Sequence, residues 1–264
     1  MSEIIKDPLF GDYPVEIPLA KAPLARVVAQ VRFPEILSVQ DRSFVAPFQE
    51  LIRKEYPIAR NDVINTFVIG PQRMVSSTVW RYLDTTQSWR VSMSDTFLSL
   101  ETTKYTSRKD FIERFGFLLT ALAKTISPSH CARVGIRYVD QVSLPDGESM
   151  KDMLRPEMAG VRDVVGATNH LLSEFEAETK EGGVVVRWGH MPADGTHDPD
   201  IMPAISTASW FLDVDSYKFD ESEMFPFEPE KISEVVFGLA SRAYTIFLWS
   251  VNETFLVKYG KEVQ

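Results

Sequence analysis

Residues His190 to Asp200 read HMPADGTHDPD and crowd His190, Asp194, His197, Asp198 and Asp200 into one short stretch. Imidazoles and carboxylates at such spacing are the donor set of zinc or manganese. His190, His197 and Asp198 are therefore the candidate metal ligands. The same stretch also reads as a polar connection between two strands, punctuated by turn residues. A second group is acidic: Asp213, Asp215, Asp220, Glu221 and Glu223. Asp213 and Asp215 share one face of a strand, as nuclease carboxylates can. A solvated edge strand charged against aggregation gives the same pattern, and so does an acidic face for a basic partner. A third group is basic. Arg133 and Arg137, with Arg32, could grip a phosphate or carboxylate, with Tyr138 beside them as the rest of a ligand site. The same arginines could instead pair across a sheet with Glu174, Glu176 and Glu178. Cys131, the single cysteine, reads as a small buried residue.

Other chemistries lack their motifs. The chain contains no GxxxxGK[ST] loop, no GxSxG elbow, no GxGxxG after a strand and no HExxH. Phosphate-loop and α/β-hydrolase chemistry are thus not expected, and no cofactor is called for. The net charge of −9 opposes non-specific nucleic-acid binding, which depends on neutralising phosphates. A lone cysteine excludes an intramolecular disulfide and a cysteine zinc site. The first residues carry no apolar stretch of signal-peptide type, and no run approaches the roughly 18 apolar residues of a membrane span. A cytoplasmic location is expected from these features.

The elements that would position these groups are set by periodicity. Residues 1–22 hold Pro8, Pro14 and Pro18 and read as an extended arm; Phe10 and Tyr13 mark it as packing on the body or on a partner. Leu24–Phe33 alternates as a strand, and residues 43–56 are helical, with Pro47 in the first turn of a helix starting near Val45. Ser88–Ile126 reads strand, turn, strand, helix. Trp89, Val91 and Met93 share a face, as do Leu98, Leu100 and Thr102. Ser107 caps a helix with Asp110 at the capping-box distance, and Phe111, Phe115, Leu118, Leu122 and Ile126 form its buried stripe. Residues 130–144, 170–180, 184–191 and 209–219 alternate as strands. From Pro229 to Gly260 one apolar stripe predicts a single helix on the order of 45 Å long.

The order of elements repeats. Ser88-Trp89 and Ser209-Trp210 open corresponding stretches, and the stripe Phe111, Phe115, Leu118, Leu122, Ile126 aligns with Ile232, Val236, Leu239, Ala243, Phe247. The expected fold is α+β: antiparallel sheets with helices on one face, built from two related βαβββα halves, 23–144 and 145–264, behind the 1–22 arm.

The segments PLARVVAQVRFP, EYP, SWRVSMSDTFLSLETTKYTSRKDFIERF and RVGIRYVDQV together resemble a sporadically distributed, largely uncharacterised bacterial protein family. That family carries a PLxxV strand, a tryptophan strand running into LETTxY and an RxGxRY strand. Its RY is usually followed by a hydrophobic residue and Asn, where this chain has Val139 and Asp140. The family's patchy distribution resembles that of defence or toxin–antitoxin genes. The resemblance, the acidic charge and the missing catalytic motifs lead to the expectation of a non-enzymatic, cytosolic protein-interaction module. It would be a component or neutralising partner of such a system, acting through Phe10, Tyr13, Asp213 and Asp215 on another protein or on a second copy of itself. The alternative is a ligand-binding or metal-dependent hydrolytic protein with a site between the two halves.

Overall fold

The computed structural model describes residues 5–68, 73–144, 150–159, 170–219 and 224–261. In chain order the elements begin with β1 (Leu24–Arg32), a 3-10 turn, α1 (Arg42–Ile52), β2 (Ile58–Val68), β3 (Arg73–Leu83), β4 (Trp89–Met93) and β5 (Phe97–Thr102). They continue with α2 (Arg108–Thr125), β6 (His130–Cys131), β7 (Arg133–Leu144), a second 3-10 turn and α3 (Pro156–Ala159). The last are β8 (Leu171–Glu178), β9 (Gly183–Met191), β10 (Ala208–Phe219), β11 (Phe225–Pro226), α4 (Pro229–Ser250) and α5 (Glu253–Lys258). Asp220, Glu221 and Glu223 of the acidic group lie outside the described residues.

The fold is α+β, with a nine-stranded antiparallel sheet in the order β2-β3-β4-β5-β1-β7-β10-β9-β8 and helices packed on it. The amide of Ala132 donates to the Arg32 carbonyl and that of Gln141 to Pro23, so β1 and β7 run antiparallel. Each meander ends next to the strand that opened it, β5 beside β1 and β10 beside β7. By that order β10 answers to β5, whereas Trp89 lies in β4. The two Ser-Trp pairs therefore fall on strands that do not correspond. The chain forms two compact units of interleaved segments: Met1–Val27, Arg137–Tyr217 and Gly238–Gln264 in the first, Val28–Ile136 and Lys218–Phe237 in the second.

Local chemistry explains the second unit. The Ser107 hydroxyl accepts from Asp110 N at 3.1 Å, starting α2 where the capping signal placed it. Ser127 ends the helix in the left-handed region (φ 54°), its N–H returning to the Leu122 carbonyl, and Pro128 prevents continuation. Phe111, Phe115, Leu118 and Leu122 are fully buried, as are Val91, Met93, Leu98 and Leu100 on the strands. Trp89 packs on Phe111 with the Arg114 guanidinium 4.6 Å over its ring. Helix α1 begins earlier than its apolar stripe suggests, because Asp41 caps it by accepting from Ser43 N at 2.7 Å. Pro47 then sits inside the helix, past the turn where its missing N–H would be free of consequence.

The long C-terminal helix is two helices. α4 ends at Ser250; Val251 bridges to Leu154, and Asn252 starts α5 by accepting from Phe255 N. The apolar period runs through the break because Val251 and Phe255 are both buried. Asn252-Glu253 is an N-cap signal within that period.

Candidate functional site

In the first unit β10 is an interior strand, paired with β9 in a register that runs from Ser209↔Met191 to Tyr217↔Gly183 and flanked by β7 on its other side. The edge-strand reading of Asp213 and Asp215 is therefore corrected. Side-chain pairs Arg137–Asp213, Gln141–Ser209 and Ser143–Thr207 step down β7 as they step up β10. Alternation then divides two faces. Trp210, Leu212 and Val214 join Val142, Leu144, Val184 and Val186 in a core with Ala243 and Ile246 of α4. On the opposite, open face Phe211 and Val139 form a smaller core with Met191 and Met202. Met202 belongs to residues 192–207, a strap joining β9 to β10 across that face.

The polar heart of the open face is Asp213, with no solvent exposure. Its Oδ1 accepts from Arg137 Nε at 2.8 Å and its Oδ2 from Arg137 Nη2 at 2.6 Å, a bidentate pair. His197 Nε2 lies 2.8 Å from Oδ2, and the imidazole stacks on Phe211 with centroids 4.4 Å apart. Arg137 Nη2 also reaches Asp198 Oδ2 at 3.1 Å. Burial pushes the Asp213 carboxyl up, but the hydrogen bonds and charges of Arg137 and His197 outweigh it and hold the group below the usual carboxylate range. Burial opposes the Arg137 charge, yet Asp213, with Asp198 and Asp215, raises its pKa above the ordinary arginine value. One atom is left over: His197 Nδ1 is buried and has no hydrogen-bond partner among the described residues.

The structure regroups the sequence candidates. His190 pairs in register with Trp210 and so belongs to the α4 side, while His197 lies on the open face. The proposed metal ligands His190, His197 and Asp198 are split by the sheet, and among the described residues no three His, Cys, Asp or Glu side chains gather as a metal site. Tyr138 packs against the α4-side core, opposite to Arg137; Arg133 shares Arg137's face by alternation. Arg137 pairs with Asp213 and not with the glutamates of β8, of which Glu174 pairs with Arg187 and Glu176 accepts from Tyr217. Asp213, expected to face a partner, is buried, and Asp215 is partly buried. Burial pushes the Cys131 thiol up to about 12, far from the thiolate form.

Two features have no counterpart among the sequence candidates. Asp140, on β7, is 4% exposed, and burial followed by the Asp213 charge pushes its carboxyl up to about 7. Arg242, on α4, has a side chain with no exposure. Its Nε and Nη2 reach both Glu181 oxygens at 2.7 and 3.0 Å. Its Nη1 and Nη2 donate to the carbonyls of Pro8 and Gly11, each at 3.0 Å. Tyr13 donates to Glu181 at 2.6 Å, and the guanidinium lies over its ring. Further along the arm, Ile17 N donates to the Tyr244 hydroxyl at 2.7 Å and Lys21 N to the Tyr259 carbonyl at 3.0 Å. The arm is thus fixed to the body. The signal was an arginine inside the apolar stripe of α4, between Leu239 and Ala243, where a charge must find a partner.

Comparison of the chain with protein-family models gives no match, and no curated protein matches it.

Proposed function

We propose that this protein is a protein-interaction module that presents its N-terminal arm as a preformed contact surface. The observation that carries the reading is the combination of a fixed backbone with outward apolar side chains. Phe10 is 51%, Tyr13 45% and Val15 87% exposed, on an arm whose carbonyls are held by Arg242 and whose Ile17 amide is held by Tyr244. Large apolar side chains on an ordered segment serve as anchors without an ordering cost on binding. The family resemblance supports a component or neutralising partner of a bacterial defence or toxin–antitoxin system, acting in the cytosol.

The test is Phe10→Ser with Val15→Ser, neither side chain being part of the Arg242 clamp. Immobilised wild-type and variant chains are compared for capture of proteins from the native host, and free chains for self-association by sedimentation. Loss of a captured protein or of self-association in the variant supports the reading. The same captured set and the same sedimentation for both chains removes it.

A further inference from the structure

We propose that the 192–207 strap is a releasable occupant of a peptide-binding groove on the open face of β7, β10 and β9. The groove would take a partner segment with a cationic side chain for Asp213, followed by an apolar side chain for the hollow between Val139, Met191 and Phe211. This rests on the reading that the protein binds other proteins and names a second site and its partner chemistry.

Three side chains of the strap enter the face, and two bonds to β7 flank them: the Pro203 carbonyl accepts from Gln141 Nε2 at 3.1 Å, and the Thr207 hydroxyl lies 2.7 Å from that of Ser143. His197 stacks on Phe211 and bonds Asp213, Asp198 bonds Arg137, and Met202, with no exposure, fills the hollow. Its backbone is largely folded on itself. Asp194 N donates to the Ile205 carbonyl at 2.7 Å, Gly195 N to Pro192 at 3.0 Å and Met202 N to Asp198 at 2.8 Å. The Thr196 hydroxyl donates to the Met202 carbonyl at 2.8 Å. A loop bonded internally in this way can lift as a unit without breaking strand pairing.

The fit is also incomplete. The His197 side chain is 4% exposed, yet its Nδ1 is buried without a partner among the described residues, an arrangement that costs free energy the strap cannot recover. A guanidinium in that position would stack on Phe211 and donate to Asp213 Oδ2 where His197 does, Arg137 keeping its fork on the carboxylate. Charge favours the same occupant. Asp215 lies close enough to Arg137 to act on it, and Glu174 and Glu176 alternate onto this face of β8, where Arg187 answers Glu174 alone.

The probe is a fluorescent peptide of strap sequence 194–204 carrying His197→Arg, titrated into the full chain. The double variant His197→Ala/Asp198→Ala, which releases the strap, should bind it at least about tenfold more tightly than wild type, because the competing occupant is weakened. The same peptide with Ala at that position should bind the variant much more weakly. Equal binding by wild type and variant, or equal binding of the Arg and Ala peptides, overturns the proposal. If the variant does not fold, the wild-type chain decides. Saturating peptide must accelerate peroxide oxidation of Met202, and an unchanged rate overturns the proposal. Phe10→Ser/Val15→Ser should bind the peptide like wild type. Failure of the groove is thereby separated from failure of the arm.

Discussion

Arg137 and Arg242 perform the same task in one unit with different completeness. Each is an arginine largely removed from water, each is bidentate to a carboxylate, and each holds an irregular segment in place. Arg242 binds the arm through two backbone carbonyls as well as Glu181, so its bonds extend from the β8–β9 turn to the arm. Arg137 and Asp213 reach the strap through the side chains of Asp198 and His197 only, and the His197 ring carries an unmatched nitrogen. Backbone carbonyls held by a satisfied guanidinium make a lock. Side chains held with one polar atom unmet make a contact that another segment can replace.

The largest expected effect comes from removing the acceptor beneath the strap. Asp213→Ala takes the bidentate partner from Arg137, leaving it Asp198, and deprives His197 of its partner. Breaking a buried pair costs roughly 3–5 kcal/mol, and a loss in that range is expected in urea unfolding. A small loss would mean that Arg137 swings to solvent and that the cluster is not a unit.

Asp140 sharpens the picture, since the Asp213 charge acts on it. Its folded-state pKa of about 7 is raised above the ordinary aspartate value of 3.8. Its contribution to stability is therefore fully present below about pH 4, declines as pH rises, and is gone above about pH 7. The difference across that window is on the order of 4 kcal/mol. Asp140→Asn should remove this decline and leave the variant more stable than wild type at pH 8, measured by denaturant midpoints across pH. A wild type equally stable at pH 5 and pH 8 would contradict it.

Arg242→Met should cost about 3 kcal/mol by leaving Glu181 only the Tyr13 hydroxyl. It should also speed hydrogen exchange at Ile17 and Lys21 while leaving the Met202 environment unchanged. Arg242→Lys should rescue little, because one ammonium cannot span a carboxylate and two carbonyls. The smallest effect is expected from His197→Phe. The stack on Phe211 is kept, the orphan nitrogen disappears and one hydrogen bond to Asp213 is lost, for a net change of at most about 1 kcal/mol. A change as large as that of Arg242→Met would break the distinction between lock and replaceable contact.

What was legible in the sequence was local. Ser107 and Asp110 announced α2, and alternation placed Trp89, Val91 and Met93 on one face, because caps and strand faces depend on residues a few positions apart. Alternation also put Asp213 on the same face as Asp215, but not beside Arg137, since the pairing of β7 with β10 joins residues 76 apart in sequence. The same non-local pairing made β10 an interior strand and separated His190 from His197. The apolar period of the last helix hid Asn252, whose capping signal competed with a stripe that continues beyond it. Arg242 carries no such local signal, because a single charge in a long apolar stripe does not say which carboxylate answers it.

The central contrast is between a strap that lifts and an arm that stays. Met202 and Met191 lie in the small core covered by the strap, and Met150 lies in the core against which the arm residues Leu9, Ile17 and Leu19 pack. All three are buried. Peroxide oxidation of the native chain, followed residue by residue by mass spectrometry, reads how often each is uncovered. Oxidation of Met202 and Met191 well ahead of Met150 is the predicted result. Oxidation of all three at one rate, or of Met150 first, would contradict it.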